Sequence, residues 1–170
     1  MKKSRLIKAI LAVWFVMAAP GAFGQFLPGK RDSLQEAFKV NIIQPLQFGF
    51  FAQGKSGGTV NIAADGSRTA SGTVIPLNFG LSYSQMILEI EAPAGTIVSV
   101  LGSTSRLTGT NGGTMLITIG NSNPVSPFNI VDGSPSKTYL NIGAVLTVGN
   151  AAESPAGNYD GNVYISFMFE

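Results

Sequence analysis

The chain has 170 residues, of which 45% are hydrophobic and 12% are charged, and it contains neither cysteine nor histidine. This length fits a single domain, and the missing residue types exclude a Ser-His-Asp triad, a cysteine nucleophile and zinc sites built on histidine or cysteine. We therefore expect no enzymatic activity, no cofactor and no bound metal.

The start of the chain has the pattern of a secretory signal peptide. The basic segment MKKSRLIK precedes the apolar stretch AILAVWFVMAA, and Ala22 and Gly24 place small side chains just before a cleavage point ahead of Gln25. The apolar stretch is too short to span a membrane, although an N-terminal anchor helix is the alternative interpretation. The sequence thus predicts an exported protein of the periplasm, the cell surface or the extracellular space. The predicted parts are a signal peptide (1–24), a flexible leader (25–36) and one folded domain (37–170).

Cleavage would change the net charge of the protein. It removes four of the 11 basic residues and none of the 9 acidic ones, so the net charge falls from +2 to about −2. No basic patch then remains that would indicate nucleic acid binding, and no later segment is long and apolar enough for a transmembrane helix. A surface of Ser, Thr, Asn and Gly with few charges suits close packing against other proteins.

From residue 37 onward, short segments of alternating apolar residues are separated by Gly, Asn, Asp and Pro, and no stretch keeps a 3.6-residue period. In chain order they are AFKVNIIQ, LQFGFF, GTVNIAA, GTVIPLNFG, QMILEIEA, TIVSVLG, TMLITIG, FNIVDG, YLNIGAVLTVG and NVYISFMF. In the fourth segment, Ile75, Leu77 and Phe79 are expected to face the core. Short strands at a spacing of about ten residues predict an all-β domain, a single Ig-like antiparallel β-sandwich with Greek-key character.

The last of these segments raises the question of what pairs with it. Its apolar face carries Val163, Ile165, Phe167 and Phe169, while the other face is polar apart from Met168. Such a strand either pairs on both sides or leaves an open edge that can accept another strand. The first segment is a candidate, because its apolar residues also alternate: Phe38, Val40 and Ile42. This segment either completes its own sandwich or inserts into a neighbouring subunit, and the sequence leaves both open.

Few residues remain that could carry chemistry. Glu89 and Glu91 share one face of a strand, as a glycosidase or calcium site would require. We expect them instead to face water, because Leu88 and Ile90 face the core and polar residues alternate outward in antiparallel sheets. Tyr159 is either a ligand-stacking aromatic or, as we expect, an anchor of the corner before the last strand.

These segments resemble a family of exported bacterial proteins, domain of unknown function 4402, over about residues 37–170. The residues that carry the resemblance are Leu46, Phe48, Gly49, Gly57, Gly58, Val60, Gly66, Arg68, Gly72, Val74, Gly112, Gly113, Thr114, Met115, Gly143, Leu146, Thr147, Val148, Gly149, Gly157, Tyr159 and Gly161. Members of this family look like pilus or fimbrial subunits, which implies a pilin-like sandwich. Gly157 and Phe169 also match the end of chaperone–usher pilins, although those usually carry a penultimate tyrosine and often a disulfide.

The resemblance implies a structural or adhesive subunit of a surface fibre or envelope assembly. Its expected partners are other protein subunits, including copies of itself, a chaperone or an assembly porin. Two alternatives remain: a monomeric periplasmic or secreted binding domain, for example for a glycan, and a small outer-membrane β-barrel. The first has little support, because only Tyr83 and Phe128 provide aromatic rings in loops. The second requires strands of 9–11 residues, which are longer than most of these segments.

Overall fold

The computed structural model describes residues 38–80, 82–131 and 136–170. These residues form thirteen β-strands and no helix, which confirms the all-β prediction. In chain order the strands are β1 (Lys39–Gln44), β2 (Phe51–Ala52), β3 (Gly58–Ile62), β4 (Arg68–Gly72), β5 (Ile75–Pro76), β6 (Met86–Ala92), β7 (Ile97–Gly102), β8 (Thr104–Gly109), β9 (Thr114–Asn123), β10 (Phe128–Asn129), β11 (Ser136–Val148), β12 (Tyr159–Asp160) and β13 (Ile165–Phe169). The predicted signal peptide and leader lie outside the described residues. Within the described residues, no helix is long and apolar enough to cross a membrane.

The larger of the two main sheets has eight antiparallel strands arranged around β11. On one side of β11 lie β9, β8 and β12 in that order. On the other side, β6 pairs with the first half of β11 and β3 with the second half, and β1 and β4 extend the sheet beyond β6 and β3. The change from β6 to β3 occurs at Gly143, where a Cβ atom would collide with the carbonyl oxygen of Ile62. A glycine is therefore required for β3 to approach β11 at this point.

The smaller main sheet has three antiparallel strands in the order β10-β7-β13. It covers one face of the larger sheet, and the contact between the two is a sandwich-like core. Apolar side chains from both sheets form this core, and its buried members are Met86, Leu88, Ile90, Ala92, Val98, Phe128, Ile130, Leu140 and Ile142. Fully burying one such Leu or Ile side chain contributes about 1.5–3 kcal/mol, so this cluster holds the two sheets together.

A second apolar cluster lies at the other end of the larger sheet. Its buried members are Val60, Val74, Leu107, Met115, Ile117, Ala144, Leu146 and Val148. The prediction that Ile75 and Phe79 face the core is wrong, because Ile75 is 60% and Phe79 is 73% exposed while their neighbour Val74 is buried. The reason is that Ile75 and Pro76 form β5, which pairs with β2 outside both main sheets and so does not follow their alternation.

Arg68 holds the β2–β5 ribbon to β4. The guanidinium group donates hydrogen bonds to the carbonyl oxygens of Phe48, Phe50 and Leu77 at 3.1–3.2 Å. It also lies over the ring of Tyr83, 4.2 Å from the ring centroid. The planar fork of arginine suits several acceptors at once, so this residue of the family pattern has a structural role.

Candidate assembly site

The strand β13 forms one edge of the smaller sheet. It pairs antiparallel with β7, from Ile165 opposite Gly102 to Phe169 opposite Val98. Beyond this pairing, Glu170 and Ile97 exchange two backbone hydrogen bonds of 3.1 Å. Among the described strands, none lies on the other side of β13. Its outer edge is therefore open within the described residues.

The antiparallel pattern determines which backbone groups point towards this open edge. Residues that exchange both hydrogen bonds alternate with residues that exchange none. Because Glu170 bonds to Ile97, the N–H and C=O groups of Ile165, Phe167 and Phe169 point away from β7. The hydrogen bonds of β7 are consistent with this pattern. Val100, the partner of Phe167, points its N–H away from β13 and donates it to the hydroxyl of Ser126 at 2.7 Å.

Aromatic contacts join β13 to β1, the outermost strand of the larger sheet beside it. The ring of Phe38 lies 5.9 Å from that of Phe167 and 5.4 Å from that of Phe169, between centroids. Aromatic pairs at such distances contribute about 0.5–1.5 kcal/mol beyond their buried area. The first and last segments that the sequence analysis selected are therefore neighbours in space, although 129 positions separate Phe38 from Phe167 in the numbering.

The inner face of β1 continues from Phe38 but is poorly covered. Side chains alternate along a strand, so Val40 and Ile42 lie on the same face as Phe38. Val40 is 36% and Ile42 is 69% exposed, whereas their partners on β6, Ile90 and Leu88, are buried. We call this region the open side, and it comprises Phe38, which precedes β1, Val40 and Ile42 of β1, and Ile165, Phe167 and Phe169 of β13. As far as the described residues go, it combines unpaired backbone groups with uncovered apolar side chains.

The outer face of the smaller sheet is also apolar. Met168 is 51% exposed, and the exposed side chains of Ile97, Leu101 and Tyr164 lie on the same face. The alternation of the last segment in the sequence predicts only Met168 as an apolar residue on this face. The signal for the others was present in β7, because the run IVSVL has apolar residues at both alternating positions and only one face of the strand can meet the core.

The two glutamates of β6 form a polar network with β1 and β11 on the outer face of the larger sheet. Glu89 accepts hydrogen bonds from the amide of Asn41 (3.4 Å), the ammonium of Lys137 (3.1 Å) and the hydroxyl of Tyr139 (3.1 Å). Glu91 lies between Lys137 and Lys39, with nitrogen–oxygen distances of 3.9 and 4.0 Å. The prediction that both glutamates face water is wrong for Glu89, which its neighbours bury to 8% exposure.

The network at Glu89 has the electrostatics of a structural ion pair. The hydrogen bond from Lys137 lowers the pKa of Glu89 below its ordinary value of 4.5, and Asn41 and Tyr139 act in the same direction against the effect of burial. The pKa of Lys137 is raised for the reciprocal reason. A general acid needs a raised carboxyl pKa, so this carboxylate is suited to an ion pair and not to proton donation. The described residues contain no group of three or more acidic side chains that could hold a metal ion.

The corner before β13 is built from Tyr159 and two glycines. The hydroxyl of Tyr159 donates to the carbonyl oxygen of Pro155 at 2.6 Å, and burial raises its pKa. A Cβ atom at Gly161 would lie 2.8 Å from Leu107, and one at Gly157 would lie 2.9 Å from the hydroxyl of Thr110. These residues fix β12 against β8 and thereby set where β13 starts, and the Tyr159 hydroxyl is bonded to a protein group.

Two cavities of about 360 Å³ each lie beside β9. Both reach Gly120 and Asn121, and the second also contacts Asp65. The Asp65 carboxylate accepts a hydrogen bond from the N–H of Ser67 at 2.9 Å, and its interactions with Ser67 lower its pKa. Asp65 therefore stabilises the turn between β3 and β4, and neither cavity brings together groups suited to catalysis.

Comparison with known proteins gives one match, which covers nearly all the described residues. No curated protein and no solved structure is significantly similar to the chain. The sequence profile of one family matches residues 38–168, from the residue before β1 to the penultimate residue of β13. The chain therefore belongs to the family described as Domain of unknown function (DUF4402).

Proposed function

We propose that this protein is exported and serves as a structural or adhesive subunit of a surface fibre or envelope assembly. It acts through strand and sheet contacts with other protein subunits and performs no catalysis. The observation that carries this proposal is the open side, where the free edge of β13 lies beside the uncovered side chains of Val40 and Ile42. Both features are supplied by the first and last segments of the domain.

The energetics of an open strand edge support a protein partner. Each backbone hydrogen bond formed by an added strand contributes about 0.5–1.5 kcal/mol net. An apolar residue on its inner face would cover Ile42, which is 69% exposed, and burial of apolar area contributes about 25 cal/mol per Å². An amphipathic strand with alternating apolar residues meets both requirements, and such a strand is a protein segment.

The design of the other long edge supports the same conclusion. Natural proteins protect exposed strand edges with charges, proline or bulges. The edge strand β1 carries Lys39 and has a register irregularity between Ile42 and Gln44. From Tyr164 to Phe169 the sequence YISFMF has no charge and no proline, and its pairing with β7 has no register shift. An edge left unprotected in this way is suited to specific pairing.

The outer face of the larger sheet is suited to contact with other subunits without strong repulsion. Away from the Glu89 network, two of its cross-strand pairs are neutral hydroxyl pairs, Thr59 with Ser71 at 2.7 Å and Thr104 with Thr118 at 3.1 Å, while Arg106 lies opposite Leu116. The hydroxyl pairs add no net charge to the surface. Neutral polar faces cost little to bring together, in contrast to faces with like charges.

The experiment that tests the proposal removes one hydrogen-bond donor from the open edge. Ile165→Pro deletes an N–H that points away from β7, so the pairing of β13 with β7 is retained. Ile165→Ala is the matched control, because it loses the same side chain but keeps the N–H. In the producing cell, we expect the unmodified chain and Ile165→Ala to sediment with high-mass envelope material and Ile165→Pro to sediment as the monomer.

Two outcomes of this experiment would contradict the proposal. If Ile165→Pro is folded by circular dichroism and enters the same high-mass material as Ile165→Ala, the open edge is not the assembly contact and the proposal is wrong. If the unmodified chain itself stays monomeric in the envelope, a monomeric binding domain is the better description.

A further inference from the structure

We propose that the strand that pairs with the open edge of β13 is the β13 strand of a second copy of this chain. The two strands pair antiparallel around a two-fold axis beside Phe167. This inference rests on the proposed function, in which the open edge is a contact surface, and it adds the identity and register of the partner.

The positions of the free backbone groups determine the register. The groups that point outward belong to Ile165, Phe167 and Phe169, which are spaced by two residues. When Phe167 faces the second copy's Phe167, Ile165 faces the second copy's Phe169, and each of these pairs can exchange both hydrogen bonds. All outward N–H and C=O groups of the two strands are then used. A shift of two residues in either direction leaves free groups on both strands.

The side chains fit this arrangement. The residues that pair by hydrogen bonds are also those whose side chains face the interior, so the second copy brings Ile165, Phe167 and Phe169 to the inner side. There they extend the apolar layer that ends at the exposed Val40 and Ile42. On the outer side, Met168 faces the second copy's Ser166, which lies beside the second copy's exposed Leu101. The contact thus buries apolar surface on both faces of the joined sheet.

Charge does not oppose the pairing. From Tyr164 to Glu170 the sequence has one charged residue, Glu170, which lies opposite the second copy's Tyr164 in this register. The two Glu170 residues are six positions apart along the strand, which is about 20 Å at the usual rise per residue. Electrostatic repulsion at that distance is largely screened by physiological salt.

The predicted leader fits this edge less well than a second β13 does. Its sequence, QFLPGKRDSLQE, has no run of alternating apolar residues, and Pro28 followed by Gly29 interrupts any strand. Among the described strands, β1 has a similar alternation, but it carries Lys39 and its register shifts between Ile42 and Gln44, so its free edge is less suited to pairing. The second copy's β13 is therefore the best complement within this chain.

The absence of cysteine from the whole chain allows a direct test of the register. In the proposed pair, Ser166 and the second copy's Met168 face each other as a non-hydrogen-bonded pair, with Cα atoms about 4.5 Å apart. This distance lies in the range that a disulfide can bridge. Two Ser166 residues lie on a diagonal, as do two Met168 residues, at about 8 Å, which a disulfide cannot bridge without backbone movement.

The experiment compares Ser166→Cys, Met168→Cys and an equal mixture of the two purified variants under mild oxidation. We expect a covalent dimer in the mixture at a yield about tenfold above that of either variant alone, because only the mixture provides the facing pair. Both side chains lie on the outer face, so both variants should fold, which circular dichroism checks. If the mixture gives no more dimer than the separate variants, the proposed register is wrong.

The result can be separated from that of the proposed function. If the mixture does not crosslink but Ile165→Pro still blocks envelope assembly, the edge binds a different polypeptide, and this inference fails while the proposed function stands. If the mixture crosslinks but Ile165→Pro has no effect in the envelope, the homotypic contact exists and the proposed function fails.

Discussion

Glu89 shows at the residue scale how a carboxylate on the outer face of a sheet becomes buried. It lies directly opposite Asn41 on one neighbouring strand and Tyr139 on the other, and Lys137 reaches it from two positions along β11. The alternation of β6 predicts the face on which Glu89 lies. It does not predict the partners, because β1 and β11 come from distant parts of the chain and their register is set by long-range pairing.

The lowered pKa of Glu89 predicts an acid-dependent loss of stability. Because the folded-state pKa lies below the ordinary value of 4.5, the ionised side chain stabilises the folded state fully above that pH. The contribution is lost as the pH falls through the folded-state pKa. We therefore expect Glu89→Gln to be less stable than the unmodified chain at pH 7, with a difference that shrinks as the pH falls below 4.5. Urea denaturation between neutral pH and about pH 3 measures this dependence.

Glu91→Gln is the matched control for this prediction. Glu91 lies on the same strand and the same face, but its contacts with lysine are longer, at 3.9 and 4.0 Å. This variant retains every hydrogen bond to Glu89 and should keep the acid-dependent slope of the unmodified chain. An equal loss of slope in both variants would contradict the assignment of the effect to Glu89.

At the element scale, the sequence predicted the long strands better than their partners. The YLNIGAVLTVG segment lies in β11 except for its last residue, Gly149, and its alternating residues from Leu140 to Val148 are buried as expected. The division of one side of β11 between β6 and β3 could not be predicted, because it depends on a close approach at Gly143 that involves a segment far away in the chain. The prediction for the GTVIPLNFG segment was wrong at Ile75 and Phe79, because its short strand, β5, belongs to a separate ribbon with β2.

The sequence also predicted part of the candidate site: its residues, but not their pairing partners. The sequence selected Phe38, Val40 and Ile42 and the apolar face of β13 from their alternation, and the structure brings the two segments together at Phe38. The sequence could not show that β1 pairs with β6 of the same chain. A strand of the same chain and a strand of a neighbouring subunit satisfy the same alternating pattern equally well. The apolar outer face at Leu101 was missed, although the run IVSVL of β7 carried its signal, being apolar at both alternating positions.

The weak attachment of β1 leads to a prediction about its dynamics. Among the described strands, β1 pairs only with β6, and Val40 and Ile42 contribute little burial. β11 is paired on both sides, and its Leu140 and Ile142 are buried. We expect the amides of β1 that bond to β6 to exchange with solvent about 100-fold faster than those at the centre of β11, through local opening of roughly 3 kcal/mol lower free energy.

Native-state hydrogen exchange followed by NMR measures this difference directly. The amides of β6 that bond to β11 provide the internal control, because they share the sheet but not the exposed edge. Equal protection of β1 and β11 would mean that β1 opens only with the whole domain. In that case β1 could not leave its own sheet for a neighbouring subunit without global unfolding.

At the scale of the whole molecule, the two outer faces differ in character. The outer face of the larger sheet carries ion pairs and neutral hydroxyls, as at Glu89 and Thr118. The outer face of the smaller sheet exposes apolar side chains, including Leu101 and Met168. Exposed apolar patches often mark protein interaction sites, so we expect the contact surfaces of the proposed subunit on the side of the molecule that contains β13.

The symmetry of the proposed contact limits how far the purified protein can assemble. A two-fold contact uses the same surface on both copies and closes after two. We therefore expect the purified chain to reach a monomer–dimer equilibrium in sedimentation velocity, with the dimer fraction rising with concentration and no larger species. Ile165→Pro should remain monomeric, whereas Ile165→Ala should still dimerise because it keeps the edge-facing N–H.

Open-ended polymers of the purified chain would show that its contact is head-to-tail, since only unlike surfaces can continue a filament without closing. Growth of a fibre from dimers then requires a second contact, and a partner that covers the outer face around Leu101 could provide it.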